Sequence, residues 1–426
     1  MKVLLVSHAR KDPDAGASRV YHLLTDGLRE RGHEVLDLHL DDVVGPRSRT
    51  VGLLARRLAF PRLVSRTAAT RRPERFDVVM GSSGMTAPLF DRLARTVPRA
   101  ERPALVHHLH GLAVYDHLAN TTQHDLGLAR TSLAYRTVTG RKQVAWDEHG
   151  IRSADVTVVQ NLRDEGWLRM RFPDAPVRLV APCLAPSLAR HLDGAVPPAG
   201  RTGDLLWFGT WEARKGAHLV PLAFRGIRVR HPGTRLVLGG TGRPAAEVLA
   251  DFDPRDRDAV EVLGRVPVET QVALFRRCAL LLFPSLSEGF GLAPLEAAAF
   301  GCVPVLTPTG FGADHVTDGV DGLVVPPSPL HVERAVCRLL DAPSERDRMA
   351  ARAQELAATF SAAAMVDHYE ALFAEVRRGP LAARSAGTGA APPPRPAAHP
   401  APSPRSGTDA ATPGPPRGPL ERGAAR

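Results

Sequence analysis

The stretch "PSLSEGFGLAPLEAAAFGCVPVL", residues 284–306, follows an apolar run and carries two glutamates, Glu288 and Glu296, on either side of a glycine-bearing bend. The bend Gly289-Phe290-Gly291 lets the backbone come close to a ligand, and "LAPLEAAAF" predicts a helix whose first free N–H groups face that ligand. Such a helix start attracts an anion, so Phe290, Gly291 and Leu292 are candidates for cradling one through their backbone. Two carboxylates beside an anion site suit hydroxyl groups, as a ribose and a hexose would present. A strand, a glycine turn and a helix in this order form the unit of a doubly wound α/β sheet, whose ligands lie beyond the carboxyl ends of the strands.

The rest of the chain repeats that unit. "KVLLVS" (2–7), "HEVLDLHL" (33–40), "FDVVMGS" (76–82), "ALVHHLH" (104–110) and "ADVTVVQN" (154–161) are short apolar runs rich in Val and Leu. A second series begins near 203 with "GDLLWFG" and continues through "RLVLGG" (235–240), "VEVLG" (260–264), "LLLFPS" (280–285), "VPVLT" (303–307) and "DGLVVP" (321–326). Buried parallel strands have this character. The two series are separated by the Pro- and Gly-bearing "HLDGAVPPAGRTG" at 191–203. This organisation predicts two doubly wound, parallel-sheet domains over 1–190 and 203–360, followed by a helix at 361–378.

Composition narrows the function classes. The chain has 426 residues, 44% hydrophobic and 23% charged, which suits a soluble protein of two ordinary domains. No run is long enough for a membrane span, and "VLLV" at 3–6 is too short for a signal-peptide core, so a cytoplasmic location is expected. Cys183, Cys278, Cys302 and Cys337 are far apart and show no metal or redox spacing. The net charge of +10 is concentrated: residues 47–75 hold nine arginines against Glu74, and residues 379–426 hold six against Asp409 and Glu421. The body is therefore close to neutral and nucleic acid is not an expected partner. The last 48 residues include 12 prolines, a composition predicted to be disordered. "VGLLARRLAF" (51–60) sets Val51, Leu54 and Leu58 along one helical stripe beside Arg56 and Arg57. That pattern suits peripheral contact of the 47–75 region with an anionic membrane, or a solvated helix packed on its own domain.

Over about residues 1–378 the sequence resembles the GT4 glycosyltransferases of the GT-B fold. The E-x7-E pattern, Glu288 to Glu296, carries most of the resemblance, together with "WFGTWEARKGAHL", where Gly209, Lys215 and Gly216 match a diphosphate clamp. Thr210 stands where an arginine is common in the family, and Arg214 is the candidate to replace its charge. "RGHEV" (31–35) and "DAGASR" (14–19) match N-terminal phrases, the latter with Gly16 in place of a double glycine. The resemblance implies that Glu288 meets the donor sugar, that Glu296 holds the nucleotide ribose, and that Gly16, Arg214, Lys215 and the Phe290–Leu292 backbone meet the diphosphate. It further implies that His110 touches the transferred sugar, with His107 and His108 as rivals, and that Val266 contacts the base. The helix at 361–378, with Tyr369 and Phe373, matches the one that crosses back to the first domain.

A metal-independent, retaining transfer of a hexose from a nucleoside diphosphate sugar to a hydroxyl acceptor is the activity so implied, with no cofactor beyond that co-substrate. "DFD" (251–253) imitates a metal-binding Asp-x-Asp but lies in a charged loop, and "GTGRPA" (240–245) imitates a dinucleotide fingerprint without an acidic residue to take the ribose. A non-catalytic sugar-nucleotide binder and an NAD-dependent enzyme using Gly240 and Gly242 are the competing expectations.

Overall fold

A computed structural model describes residues 1–12, 16–44, 53–192 and 201–379. Six strands form a first sheet: β1 (Lys2–Val6), β2 (Glu34–Leu38), β3 (Val78–Ser82), β4 (Ala104–His108), β5 (Val156–Val159) and β6 (Val177–Leu179), in the order β2-β1-β3-β4-β5-β6. Six more form a second: β7 (Thr202–Phe208), β8 (Leu236–Gly239), β9 (Val260–Val262), β10 (Cys278–Phe283), β11 (Val303–Leu306) and β12 (Leu323–Val324), in the order β12-β11-β10-β7-β8-β9. Every strand pairing is parallel. Central strands such as "VVMGS" and "CALLLF" are buried at every position, as covering by helices on both faces requires. β6 is only "VRL", with two of its residues half-buried, and its short run escapes a search for apolar strands.

The passage between the lobes lies earlier than the Pro- and Gly-rich 191–203 stretch. Val180 and Cys183 pack in the core of the first lobe, whereas Leu184, Ala185 and Leu188 pack in that of the second beside Phe275. The chain therefore changes lobes at 183–184, within "VAPCLAP", and the first domain ends before residue 190. It returns where Phe360 belongs to the second core and Met365 to the first. The two crossings are joined, since Leu184 N–H donates to the Phe360 carbonyl at 3.0 Å. Residues 193–200 and 380–426, and with the latter the predicted disordered tail, lie outside the described residues.

The returning helix, Ala362–Arg377, starts at Ser361, whose hydroxyl accepts from Ala364 N–H. It lays Met365, Val366, Tyr369, Leu372, Phe373 and Val376 onto the first lobe. Spacings of three and four residues place these on one face, the stripe an amphipathic helix buries. Gly27, on the helix Gly16–Glu30, lets Val366 lie against the backbone. Because Phe373 is fully buried in that seam, Phe373→Ala is expected to cost about 3–5 kcal/mol, read as a lower urea midpoint in the unfolding of the first lobe.

Candidate active site

One cleft of about 550 Å³ lies between the lobes, with its walls built from loops after strands. Its first-lobe wall includes His8 after β1, Ser83 to Met85 after β3, His110 and Gly111 after β4, and Gly16 and Arg19 at the start of the helix Gly16–Glu30. Its second-lobe wall includes Phe208 at the end of β7 and Gly209 after it, Arg214, Lys215, Gln271, and Glu288 to Ala293 with Glu296. The predicted residues Gly16, His110, Arg214, Lys215, Glu288, Phe290, Gly291, Leu292 and Glu296 all line this cleft. Val266 does not; it sits in the loop before the helix Val268–Arg277, and Gln271 from that helix takes the place on the wall.

The helix Leu292–Ala299 begins after Gly291, which sits at φ 90°, and Glu296 lies buried one turn in. Gln271 Nε2 donates to one oxygen of Glu296 at 2.8 Å, and the guanidinium of Arg19, from the opposite lobe, pairs with the other. Lys215 Nζ reaches both oxygens of Glu288, at 2.6 and 2.8 Å, and stands over the Phe283 ring. Burial pushes the Lys215 ammonium down from its usual range while Glu288 pushes it back up. Gly216, at φ 69°, turns the chain so closely against the Pro284 carbonyl that a Cβ would collide with it, which fixes Lys215 beside the E-x7-E loop.

Arg214, not Thr210, stands on the cleft wall beside Lys215. Thr210 is exposed and outside the cleft wall, whereas Arg214 donates to the Ser287 carbonyl and stands near Glu212 (3.5 Å) and Asp116 (3.9 Å). Although burial opposes it, this acidic company holds the guanidinium above its ordinary range. Asp116 in turn is raised by burial, partly offset by Arg214, and accepts from the Ser287 hydroxyl at 2.7 Å.

The three histidines of "HHLHG" separate by face. His107 is buried against Gly150 in the outer helix layer, and His108 lies under the returning helix, where Tyr369 OH and Gln160 Nε2 meet its Nε2 at 3.2 and 3.3 Å. His110 lines the cleft, and its Nε2 has no hydrogen-bond partner among the described residues. Its ring centroid is 4.3 Å from that of His108 and 5.7 Å from that of His8. His8 Nδ1 meets the Ser82 hydroxyl. Burial lowers His8 to about 4 and His108 to about 3, and takes His110 well below its usual value, so all three are neutral at pH 7.

Sequence reasoning missed the residues that join the walls. Asn161, after β5, accepts from Asp164 N–H at 2.7 Å to cap its own helix and donates to the Gly289 carbonyl at 2.5 Å across the cleft. Leu162 N–H meets Asp314 at 2.7 Å, and Arg265 meets Asp12 at 2.6 Å. Arg19, Asp116 and Gln271 were equally unforeseen, as were Trp146 and Asp147 on the first-lobe wall. Asp147 accepts from Gly84 and Ala113 N–H, both at 3.0 Å, and burial pushes it up to about 7. For Arg19, its position one helical turn beyond Gly16 is the available signal.

Of the imitations, Asp251 accepts from Trp211 Nε1 and Asp253 pairs with Arg225, both at 2.8 Å. Gly240 and Gly242 do not line the cleft. Cys183, Cys278, Cys302 and Cys337 are free and buried.

Two six-stranded parallel sheets with their strand ends facing one cleft define a GT-B architecture. The solved sucrose-phosphate synthase of Thermosynechococcus elongatus shares it, with a TM-score of 0.67 at 18% identity over 88% of this chain and 99% of that one. Residues 198–356, which carry Glu288, Glu296, Arg214 and Lys215, match the model of the glycosyl transferases group 1 family. A glycogen synthase of Mycobacterium tuberculosis is 33% identical over 160 residues, 36% of this chain and 38% of the relative. A D-inositol 3-phosphate glycosyltransferase of Acidothermus cellulolyticus is 27% identical over 305 residues, 66% of this chain and 64% of the relative. The chain thus spans between about two fifths and two thirds of the length of these curated relatives.

The neutral histidines have a stability consequence. Unfolding frees His8 and His108 to take protons at about pH 6.5, while the folded state refuses them until about pH 4 and 3. Stability is therefore complete above pH 6.5 and falls as pH drops toward these lower values. Melting temperature is expected to decline between pH 6.5 and 4, and His108→Gln is expected to flatten that decline by up to about 3 kcal/mol. Parallel curves for the two proteins would refute the assignment.

Proposed function

We propose that this protein is a retaining, metal-independent glycosyltransferase that moves a hexose from a nucleoside diphosphate sugar to a hydroxyl acceptor. The observation that carries the reading is the convergence of Lys215, Arg214 and the start of the helix Leu292–Ala299 with Glu288 and Glu296 on one wall, facing His110. Cations and free backbone N–H groups offset the charge of a departing diphosphate, which is where negative charge builds up in such a transfer. Glu296 accepts from ribose hydroxyls and Glu288 from those of the sugar. Neutral His110, with its unpartnered Nε2, hydrogen-bonds the transferred hexose. A donor phosphate oxygen takes the acceptor's proton, and lobe closure expels water from an oxocarbenium-like transition state.

The relatives' names differ in what is glycosylated, so the acceptor is a matter for this chain's own first-lobe surface. Peripheral contact with an anionic membrane is part of the proposal, with a cytoplasmic location. The helix Leu53–Ala69 carries four arginines and no acid, and it packs beside the turn Tyr135–Thr139. Val51 and the side chains of 53–60, including Leu54, Arg56, Arg57 and Leu58, lie outside the described residues. Leu63 on this helix, Val138 on that turn, and Leu118, Leu126, Leu128 and Leu133 in the segment before it are exposed. These are six of the twelve exposed large hydrophobic residues among the described ones. Apolar tips among arginines match the headgroup zone of an anionic bilayer. No helix among the described residues is long and apolar enough to cross a membrane.

A thermal-shift panel of UDP-, GDP-, ADP- and dTDP-sugars, with and without EDTA, tests the donor site. One nucleotide series is expected to raise the melting temperature, without regard to EDTA and not in Glu296→Ala. Lys215→Ala is expected to lower turnover by about 10²–10³ with that donor; near-normal turnover would remove the clamp. Flotation with phosphatidylglycerol vesicles is expected for the wild type and lost in Arg62→Glu/Arg66→Glu and in Leu126→Ser/Leu128→Ser. Equal recovery with neutral and anionic vesicles would refute the membrane contact.

A further inference from the structure

Both glutamates of the E-x7-E pattern are already answered by cations in this structure. Lys215 engages Glu288 from within the second lobe, whereas Arg19 reaches Glu296 from the first. Gln271 takes the other oxygen of Glu296, so both oxygens of the carboxylate are engaged, and all three side chains are buried. Ribose hydroxyls need those same oxygens, and the contact that spans the lobes is the one a ligand entering between them must part. A guanidinium parted from Glu296 within a buried cleft is stabilised by an anion brought into that cleft. A nucleoside diphosphate brings one: the start of the helix Leu292–Ala299 lies about one turn, ~5 Å, from Glu296. Gly16, one turn before Arg19, faces Leu292 there, with its Cβ direction 3.5 Å from Leu292 Cδ1. Among the described lining residues, Arg19 is the arginine or lysine of the first-lobe wall, opposite the clamp in which Thr210 brings no charge.

We infer that Arg19 changes partner with the donor, neutralising Glu296 in the empty cleft and turning to the diphosphate when ribose takes the carboxylate. It is thus a donor-binding residue that also holds the empty lobes together, and one exchange links nucleotide recognition to closure. The inference rests on the donor reading above, and it separates the two halves of the nucleotide: Arg19 opposes ribose binding and favours diphosphate binding.

The test measures UDP, GDP, ADP and dTDP, and uridine, guanosine, adenosine and thymidine, against wild type, Arg19→Ala and Arg19→Lys by calorimetric titration, with displacement for the weak nucleosides. In Arg19→Ala the preferred diphosphate is expected to bind at least tenfold more weakly while its nucleoside binds as well as before or better. Arg19→Lys is expected to recover part of the diphosphate affinity. Equal loss for nucleoside and diphosphate, or an unchanged diphosphate affinity, would overturn the exchange while leaving the donor site standing. Absence of binding by every diphosphate to the wild type would overturn the donor reading and the exchange with it. If the alanine variant fails to fold, Arg19→Met keeps the aliphatic stem and serves for the same comparison.

Discussion

The carbonyl of His110 leaves no room for a side chain at Gly289, and this approach of the β4 loop to the E-x7-E loop sets how the two walls meet. Asn161 holds the contact from the side by donating to the Gly289 carbonyl, while its own oxygen caps the helix it precedes. One amide therefore ties a rigid element of the first lobe to the loop that carries Glu288. Because His110 and Gly289 approach through backbone, the His110 ring and the Glu288 carboxylate are brought to the same cleft without either spending its side chain on the joint.

Charge follows from that closeness. A cleft that presents Lys215, Arg214 and Arg19 would repel itself if its carboxylates were elsewhere, and here each cation stands beside one: Glu288, Asp116 with Glu212, and Glu296. Buried pairs of this kind repay their desolvation only with good geometry and further hydrogen bonds, which Gln271 and the Ser287 hydroxyl supply. A ligand with an anionic middle and hydroxyl-bearing ends can take over both sets of partners at once. That complementarity is what the nucleoside diphosphate sugar proposed above would meet on entering the cleft.

Local chemistry was legible and long-range geometry was not. Glu288, Gly291, Glu296, Lys215 and Gly216 lie within short windows whose spacing already states a strand, a turn and a helix start, and the eleven runs read as strands needed no more than their apolar character. Arg19 and Asn161 lie in ordinary-looking segments, and their roles arise from residues 277 and 128 positions away. The lobe boundary misled for a related reason. Proline and glycine mark irregular chain, but the passage from one core to the other is decided by where Leu184 and Phe360 pack, and nothing local distinguishes "VAPCLAP" from other loops.

The crossings also explain why the histidine layer lies where it does. The returning helix begins two residues after Phe360, whose carbonyl accepts from Leu184 N–H, so both connections between lobes start from one hydrogen-bonded point. From there the helix carries Tyr369 over the end of β4, onto His108, whose ring contacts His110. A rotation about the crossing point that moved this helix would act on Tyr369 and through His108 on the cleft. Neutral rings suit such a place: a charge on His108 would be desolvated and would press on His8 and His110 together. The buried seam thus keeps the cleft-facing His110 neutral and fixed by the same packing that anchors one lobe to the other.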